Sequence, residues 1–271
     1  MEWNTIRNTD CLGTEGLATL PTNSVHLFFL DLPFGVTHNS QDLRINLKLL
    51  WPELIRIGTE HAVFVFFAVE PFRTDLINEN RALFRYDLIW VKEKGTNCFN
   101  ATKRPLNCHE SILIFSKMPN MTFNPQFGVG KPYQKLKQAK IQGVNYNQDS
   151  RSTILTESEG KRFPITVLYF PRDHANQGLN PTQKPLALCE NLVKSYSNKK
   201  EVIVDPTMGS GSSILASLAL ERQYFGFEID RIMFRRVEKR IKYFRYSGKD
   251  EIKRIKREEK NLASQASLFS Y

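Results

Sequence analysis

The chain has 271 residues, of which 41% are hydrophobic and 24% are charged, and its formal net charge is +10. This length is enough for one substantial α/β core with a small appended lobe, and the composition is that of a soluble globular protein rather than a disordered one. No stretch approaches the roughly 18 uninterrupted apolar residues that a transmembrane helix needs. The first residues also lack the basic and apolar regions of a secretory signal.

The cysteine pattern favours a reducing, cytoplasmic compartment and no metal site. The four cysteines form no Cys-x-x-Cys pair and fit no zinc spacing, and the five histidines are scattered. The basic excess favours a polyanionic partner, because Lys and Arg release condensed counterions from phosphates. The alternative is a solvated basic surface without a partner.

The first part of the chain alternates strand patterns with helix patterns. A short apolar run at 25–30 predicts a buried strand that ends at Asp31-Leu32-Pro33. Helical spacing of apolar residues predicts helices over 43–57 and 71–77, and apolar runs predict strands over 62–68, 86–91 and 111–116.

The stretch 117–165 has a different character. It is rich in Gly, Pro, Asn and Gln, shows little periodicity, and interleaves basic residues with an aromatic in the run 131–140. Such a pattern suits a nucleic-acid contact surface, and the alternative is a plain surface insertion. We predict a loop-rich insertion that recognises the target and contacts DNA through Lys131, Lys135, Lys137 and Lys140.

Regular order returns in the second half. The pattern predicts a helix over 185–196, a strand over 201–204, a Gly-rich turn, a helix over 213–221, a strand over 224–227 that ends in Glu228, and a charged helix from Arg231. Strand, turn, helix and strand form a βαβ unit, which implies a parallel, buried sheet. The predicted fold is therefore α/β, with a doubly wound and mostly parallel sheet.

The Gly-rich turn and the acid that follows it indicate an adenosine-containing cofactor. Gly209 and Gly211 allow backbone geometry and a close ligand approach that a Cβ would block. Asp205 ends its strand at the sheet edge where open α/β sheets bind ligands, and Glu228 can accept both hydroxyls of a ribose. A purely structural turn is the alternative.

The tetrapeptide Asp31-Leu32-Pro33-Phe34 suits chemistry on an exocyclic amine of a base. Such an amine is a poor nucleophile because its lone pair is delocalised into the ring. The Asp31 carboxylate and the Leu32 carbonyl can each accept one N–H, which favours a more nucleophilic tetrahedral nitrogen. Pro33 gives rigidity, and Phe34 offers a face on which a flipped base stacks.

The two motifs together resemble the β-class amino-methyltransferases of bacteria and phages, in which a DPPY-type motif precedes the target-recognition region and the cofactor motif comes last. The similarity runs from about Asn8 to about Lys242. Further matches are Asn180-Pro181-Thr182-Gln183-Lys184-Pro185, Asp205 to Ser213, Phe225-Gly226-Phe227-Glu228-Ile229-Asp230, and Lys103-Arg104-Pro105-Leu106 followed by His109-Glu110. We assign His109 and Glu110 no catalytic role.

The resemblance implies a Rossmann-like fold and a site-specific DNA methyltransferase, as in restriction-modification. Methyl transfer from S-adenosyl-L-methionine to adenine N6 of a flipped base in double-stranded DNA would take one in-line step, without a covalent enzyme intermediate. The predicted catalytic residues are Asp31, Leu32, Pro33 and Phe34, and Lys103 and Arg104 join the predicted DNA contacts. The predicted cofactor contacts are Asp10, Cys11, Asp31, Thr182, Gln183, Lys184, Asp205, Thr207, Gly209, Ser210, Gly211, Ser212, Ser213 and Glu228.

Three departures from the family pattern leave alternatives open. Leu32 stands where the family usually has Pro, Phe34 replaces Tyr, and Asn180 stands where His is commoner. Asp31 favours adenine, yet cytosine N4 stays an alternative target. Alternatives of another kind are an inactive DNA-binding module on the same fold and an RNA or protein-glutamine methyltransferase.

The predicted organisation is a methyltransferase core over 1–116 and 166–248, the insertion over 117–165, and a charged tail over 249–271. The mixed charges of 249–260 predict a solvated helix. Gln265, Leu268 and Phe269 resemble the short peptide that docks bacterial sliding clamps, and the alternative is a frayed terminus. The recognition sequence, a paired endonuclease, and the choice between monomer and homodimer stay open.

Overall fold

The structure is a computed structural model, and it describes residues 1–33, 45–96, 98–138, 153–172, 179–180, 182–252 and 254–258. The chain divides into a core unit, formed by Met1–Asn124 and Thr166–Tyr271, and a smaller unit formed by Pro125–Ile165. Within the described ranges, none of the helices is long and apolar enough to cross a membrane.

The strands and helices alternate along the core unit. The strands are β1 (Thr5–Arg7), β2 (Val25–Leu30), β3 (Gly58–Ala68), β4 (Phe84–Thr96), β5 (Asn107–Ser116), β6 (Gly128–Val129), β7 (Tyr133–Gln138), β8 (Thr153–Ser158), β9 (Lys161–Arg162), β10 (Val167–Tyr169), β11 (Val202–Asp205) and β12 (Gln223–Phe227). The α-helices are α1 (Leu47–Ile57), α2 (Phe72–Glu79), α3 (Leu186–Tyr196), α4 (Ser212–Ala219) and α5 (Arg231–Ser247).

The core sheet has the strand order β1-β12-β11-β2-β3-β5-β4-β10. Its pairs are parallel except for those that β5 makes with β3 and β4, which are antiparallel. The predicted α/β class with a mostly parallel sheet is therefore confirmed. β2 lies beside β11, although β11 follows it late in the chain, so residues that end these two strands meet at one edge.

Both faces of the sheet are buried, which explains why its strands are continuous apolar runs. Alternate residues of one strand point to opposite faces: Phe28 and Leu30 join the cluster covered by α1 and α2, whereas Leu27 and Phe29 join the cluster covered by α3. The Asp31 side chain continues the second series, and it lies on the face of the sheet that α3 covers.

Local signals explain several helix ends. Asn46 caps α1 by accepting a hydrogen bond from the Lys48 backbone N–H at 3.0 Å, so the helix begins four residues later than its apolar spacing predicts. Asp230 caps α5 in the same way, and Gly248 ends that helix with a φ of 68°.

The insertion contains paired strands among its loops: β7 pairs with β8 and β6 pairs with β9, each antiparallel. The start of the tail is helical as predicted, but the expectation that this helix is solvated was wrong for one face, because Ile252 and Ile255 are buried against Leu179. The short strands β1 and β10 were not predicted from the sequence. Polar and basic residues dominate β7 and β8, so their pairing leaves no apolar period in the sequence.

Candidate active site

Three acidic side chains stand at one edge of the sheet. Asp31 follows β2, Asp205 ends β11 and Glu228 follows β12. These strands are neighbours and run parallel, so their carboxyl ends open into the same crevice. The sequence motifs that were far apart are thus brought together by topology.

Asp205 is held by neutral donors of its own turn. Its carboxylate accepts a hydrogen bond from the Thr207 backbone N–H at 3.0 Å and another from the Ser213 hydroxyl. The side chain is 2% exposed, and this burial raises its pKa to about 7. Asp205 therefore braces the turn and carries a proton more readily than an exposed aspartate does.

Glu228 has a similar environment with an open side. One carboxylate oxygen accepts from the Gly209 backbone N–H at 2.9 Å, and the other accepts from the Asp230 backbone N–H at 2.8 Å. The side chain is half-buried, and burial raises its pKa. Asn8 donates to the Glu228 carbonyl at 2.8 Å, which fixes the end of β1 beside this acid. Each carboxylate oxygen keeps lone-pair capacity for a hydroxyl of a ligand.

The two glycines of the turn have different reasons to be glycine. At Gly209, where φ is 50°, a Cβ would meet only the Thr207 carbonyl oxygen, at 3.9 Å, among the described residues, so none of these crowds the backbone there. At Gly211, where φ is 77°, a Cβ would lie 2.6 Å from Val237 of α5. Gly209 leaves a cradle for a ligand, whereas Gly211 lets α5 pack against the start of α4.

Asp31 is held by an ammonium group. Lys184, at the start of α3, places its Nζ 2.8 and 2.7 Å from the two Asp31 carboxylate oxygens. The Lys184 side chain is 7% exposed and lies over the Phe67 ring, with Nζ 4.9 Å from the ring centroid. A second carboxylate faces the same ammonium, because Glu110 lies 3.5 Å from Nζ. Glu110 in turn pairs with Lys92 at 2.5 Å.

These contacts shift the pKa values of Asp31, Glu110 and Lys184. Burial raises the pKa of Asp31, the Lys184 ammonium opposes that shift, and the Glu110 carboxylate adds to it. Burial also acts to raise the pKa of Glu110, but Lys184 and Lys92 outweigh it and hold that pKa below its usual range. Although burial disfavours a charged lysine, the pKa of Lys184 is raised by Asp31 and Glu110. Lys184 is therefore a permanent cation at neutral pH.

The rest of the tetrapeptide is only partly described. Leu32 is 2% exposed and belongs to the core cluster on the α1 side, so its side chain packs inward. Pro33 is half-buried, and Phe34 lies outside the described residues. The Thr207 hydroxyl donates to the Asp31 carbonyl at 3.2 Å, which ties the Gly-rich turn to the start of the tetrapeptide.

The other predicted cofactor contacts lie in two segments, one just before α3 and one near residue 10. Gln183 is buried and accepts from the Leu179 backbone N–H at 2.9 Å, while Thr182 is exposed and bonds to Asn180. Cys11 is buried, its pKa is raised to about 12 by burial, and it lies in the core cluster. Asp10 is exposed and accepts from the Leu12 backbone N–H at 2.9 Å.

The serines of the turn are occupied by the protein itself. The Ser210 carbonyl accepts from Arg240 at 2.7 Å, and the same guanidinium lies 3.3 Å from the Ser212 hydroxyl. Arg240 is completely buried and forms an ion pair with Asp250 at 2.5 Å. Arg240, which the sequence analysis missed, thus fixes the turn from α5.

The predicted DNA contacts are exposed where they are described. Lys103 and Arg104 lie between β4 and β5 of the core unit, and Lys131 and Lys135 lie in the smaller unit. The Lys137 side chain and Lys140 lie outside the described residues, as do the proposed clamp residues Gln265, Leu268 and Phe269. The described residues contain no cluster of His, Cys, Asp and Glu that could hold a metal ion.

Two charged residues of the site were missed or set aside. Lys92 was not singled out, and Glu110 was given no catalytic role, yet Glu110 lies within β5 opposite Trp90 and pairs with both lysines of the site. Its neighbour His109 is exposed. The signal that could have identified Glu110 is an acidic residue at the head of an otherwise apolar strand, in a sheet whose ligand edge is known.

The chain is similar to DNA methyltransferases along most of its length. A profile of the N6/N4 methyltransferase family, described as DNA methylase, matches residues 25–239. Type II methyltransferase M.BglII of Bacillus subtilis is 27% identical over 252 residues, which cover 84% of this chain and 66%, just under two thirds, of that protein. DNA adenine methyltransferase YhdJ of Escherichia coli (strain K12) is 25% identical over 296 residues, which cover 99% of this chain and 93% of that protein.

Solved structures share the fold. The crystal structure of the M1.HpyAVI-SAM complex superposes with a TM-score of 0.56 at 20% identity and covers 87% of this chain and 98% of that chain. The family match extends over both the tetrapeptide and the Gly-rich turn, and the sheet places Asp31 beside that turn. The chain belongs to the N6/N4 DNA methylase family.

Proposed function

We propose that this protein transfers a methyl group from S-adenosyl-L-methionine to adenine N6 of a base flipped out of double-stranded DNA. The observation that carries the proposal is the position of Asp31. Asp31 stands at the carboxyl end of β2, its backbone carbonyl accepts a hydrogen bond from Thr207 of the Gly-rich turn, and its side chain is 28% exposed. A nucleobase amine that enters the crevice would meet a carboxylate acceptor next to the cofactor.

The residues beside Asp31 fit the cofactor. Glu228 offers carboxylate oxygens to the two ribose hydroxyls, and Gly209 leaves the backbone accessible. When bound, S-adenosylmethionine supplies the electrophilic methyl group. Lys184, Gln183 and Thr182 would line the methionine side, and Asp10 and Cys11 would close over the adenine.

In this proposal the chain's own residues prepare the amine. The Asp31 carboxylate accepts one N–H, the Leu32 carbonyl accepts the other, and Phe34 stacks on the base. As the nitrogen lone pair forms the bond to the methyl carbon, the carbon–sulfur bond breaks and S-adenosylhomocysteine leaves. Asp31 stabilises the positive charge on the nitrogen and accepts the proton that the nitrogen then loses. Lys103, Arg104, Lys131 and Lys135 are proposed to neutralise DNA phosphates, because they are exposed cations.

Adenine is favoured over cytosine by the first residue of the tetrapeptide. Within the family, Asp at that position leans toward adenine N6 and Ser toward cytosine N4, and this chain has Asp31. The similarity to YhdJ, named a DNA adenine methyltransferase, points the same way. Cytosine N4 is the second candidate, because the family covers both amines.

The test is transfer of a labelled methyl group to DNA, RNA and protein in parallel reactions. We expect label in DNA alone, and long-read mapping of the product should place N6-methyladenine in a defined sequence. Label at cytosine N4 would overturn the adenine assignment. DNA binding without any transfer would mean an inactive binding module, and label in RNA or protein would mean another substrate class.

A further inference from the structure

Asp31 is the end of a chain of four alternating charges. Lys92 Nζ lies 2.5 Å from one Glu110 oxygen, the other Glu110 oxygen lies 3.5 Å from Lys184 Nζ, and Lys184 contacts Asp31 at 2.7 Å. The Lys92, Glu110 and Lys184 side chains are 9%, 12% and 7% exposed, so solvent screens these charges weakly. Asp31 is the most exposed member, and it is the one proposed to contact the substrate amine.

Sheet topology creates this chain. Because β5 runs antiparallel to β3 and β4, its first residues lie at the same edge as the last residues of β2, β3 and β4. Glu110 stands opposite Trp90 in the β4–β5 pair, and the Trp90 indole N–H donates to the Phe170 carbonyl at 2.8 Å. Lys92 lies 5.2 Å from the centroid of the Trp90 ring. Packing therefore holds Glu110 and Lys92 in place.

The order of the charges has a consequence for Asp31. An ammonium that faced Asp31 alone would cancel most of the charge of that carboxylate, which would then be a poor acceptor for a substrate amine. Glu110 shares the same ammonium, and the Glu110 oxygen toward Lys184 has no hydrogen-bond donor among the described residues. Its interaction with Lys184 is thus electrostatic rather than a tight hydrogen bond.

We propose that Glu110 is a positioning residue: anchored by Lys92, it balances the Lys184 ammonium, so that Asp31 keeps an effective negative charge for the amine of the substrate base. This inference rests on the proposed function. The two lysines and two carboxylates balance in charge. Neutralising Glu110 leaves one excess positive charge beside Asp31, neutralising Lys92 leaves one excess negative charge, and neutralising both restores the balance.

Several ionisable groups among the described residues act on Asp31. Lys184 and Cys189 approach from the α3 side, Glu110 from β5, Lys92 from β4 and Asp205 from β11. Burial raises the pKa of the Cys189 thiol, so it is neutral in the working range. Glu110 raises the pKa of Asp31 and Lys92 lowers it. Replacing these two residues should therefore move the titration of Asp31 in opposite directions.

The experiment compares Glu110→Gln, Lys92→Met and the double variant in the full chain. The titration of Asp31 is followed by the carboxyl carbon signal in aspartate-labelled protein, with Asp31→Asn to assign the signal. We expect the midpoint to fall in Glu110→Gln and to rise in Lys92→Met, each by roughly half a pH unit or more. The acid limb of the pH profile of kcat should move in the same directions.

Transfer rates give the second readout. Glu110→Gln should lower kcat by about 10-fold to 100-fold, and the double variant should recover part of that loss because its charges balance again. Glu93→Gln is the matched control: Glu93 lies next to Lys92 in β4 and pairs with Arg172 at 3.3 Å. It should leave both the Asp31 titration and kcat unchanged.

The outcomes separate the two proposals. Equal or absent shifts of the Asp31 titration in the two single variants, or a double variant whose loss is the product of the single losses, would overturn the role of Glu110. If the native protein transfers no methyl group to any substrate, the proposed function fails. The titration of Asp31 then decides by itself whether Glu110 and Lys92 set the charge of Asp31. Thermal melting of each variant verifies that it is folded.

Discussion

The three carboxylates at the site edge of the sheet fall into two halves, Asp205 with Glu228 and Asp31 alone, which are held in different ways. Asp205 and Glu228 accept hydrogen bonds from backbone N–H groups and a hydroxyl, all within their own turns or the next one. Asp31 instead faces Lys184, an ammonium that enters from a distant part of the chain. The half that contains Asp205 and Glu228, here called the neutral half, is thus built from neutral dipoles. The half that contains Asp31, here called the charged half, is built from full charges.

This difference matches the work proposed for each half. Neutral donors position an acid without cancelling its charge or adding a field that varies with pH, which suits recognition of ribose hydroxyls. A buried network of full charges sets the electrostatic potential at one point, which suits stabilisation of a charge that develops during a reaction. Thr207 connects the halves, since its backbone N–H donates to Asp205 and its hydroxyl donates to the Asp31 carbonyl.

Replacing Asp31 should have the largest effect on methyl transfer. Asp31→Ala removes the carboxylate that would accept the amine N–H, so we expect kcat to fall by about 10³-fold or more, while S-adenosylmethionine still binds within a few-fold of the native affinity. Single-turnover transfer and calorimetric binding measure the two quantities. An active Asp31→Ala protein would refute the catalytic role of this residue and with it the functional contrast between the halves.

The same contrast explains what could be predicted from sequence. The neutral half lies within residues 205–230, so the glycines, the serines and Glu228 follow Asp205 at a spacing that the sequence shows directly. Asp205 and Glu228 were identified for this reason, and β11, α4 and β12 fell where they were predicted. Backbone donors need no particular side chain, which is why their local geometry follows from the motif alone.

The charged half depends on strand order, which the sequence does not reveal. Glu110 and its partner Lys92 join Lys184 and Asp31 only because β5 runs antiparallel beside β3, and an apolar run gives no sign of its direction. The burial of Ile255 was missed for a similar reason: charged neighbours in 249–258 conceal the apolar pair that packs on Leu179. Pairing between distant segments is therefore the part that needs the structure.

Glu228 should show the reverse pattern from Asp31. Glu228→Gln weakens the proposed bonds to the ribose hydroxyls, so we expect the dissociation constant of S-adenosylmethionine to rise by about 10-fold to 100-fold. At saturating cofactor, kcat should change by less than about 5-fold, because the reacting atoms lie at the other half. Isothermal calorimetry and initial rates separate these effects. A loss confined to kcat would contradict the division between the two halves.

Replacing Asp205 should change the pH dependence of the free energy of unfolding rather than the rate of methyl transfer. Its pKa is raised by burial from 3.8 to about 7, so the folded protein keeps a proton that the unfolded chain has released between these values. The resulting stabilisation is complete below pH 3.8 and is lost as the pH rises through about 7. Asp205→Asn should therefore flatten the decline in the free energy of unfolding between about pH 4 and about pH 7.

Urea denaturation at several pH values measures this effect. Glu221→Gln is a control of opposite sign, because the exposed Glu221 carboxyl has its pKa lowered by the Lys199 hydrogen bond. It contributes stability above its unfolded pKa and loses it in acid, so its removal should change little near neutral pH, since surface ion pairs are weak. An unchanged pH slope in Asp205→Asn would mean that Asp205 is ionised in the folded protein.

Replacing Leu32 should have only a small effect on transfer, although Leu32 lies inside the tetrapeptide. Its side chain is 2% exposed and packs in the core cluster, and the acceptor proposed at this position is its backbone carbonyl. Leu32→Ala should therefore destabilise the fold by about 2 to 5 kcal/mol, as large-to-small core substitutions do. The kcat per folded molecule should change by less than about 3-fold, because alanine supplies the same carbonyl. Urea denaturation and transfer rates normalised to cofactor-binding sites test this. A loss of kcat as large as that of Asp31→Ala would show that the leucine side chain itself shapes the charged half.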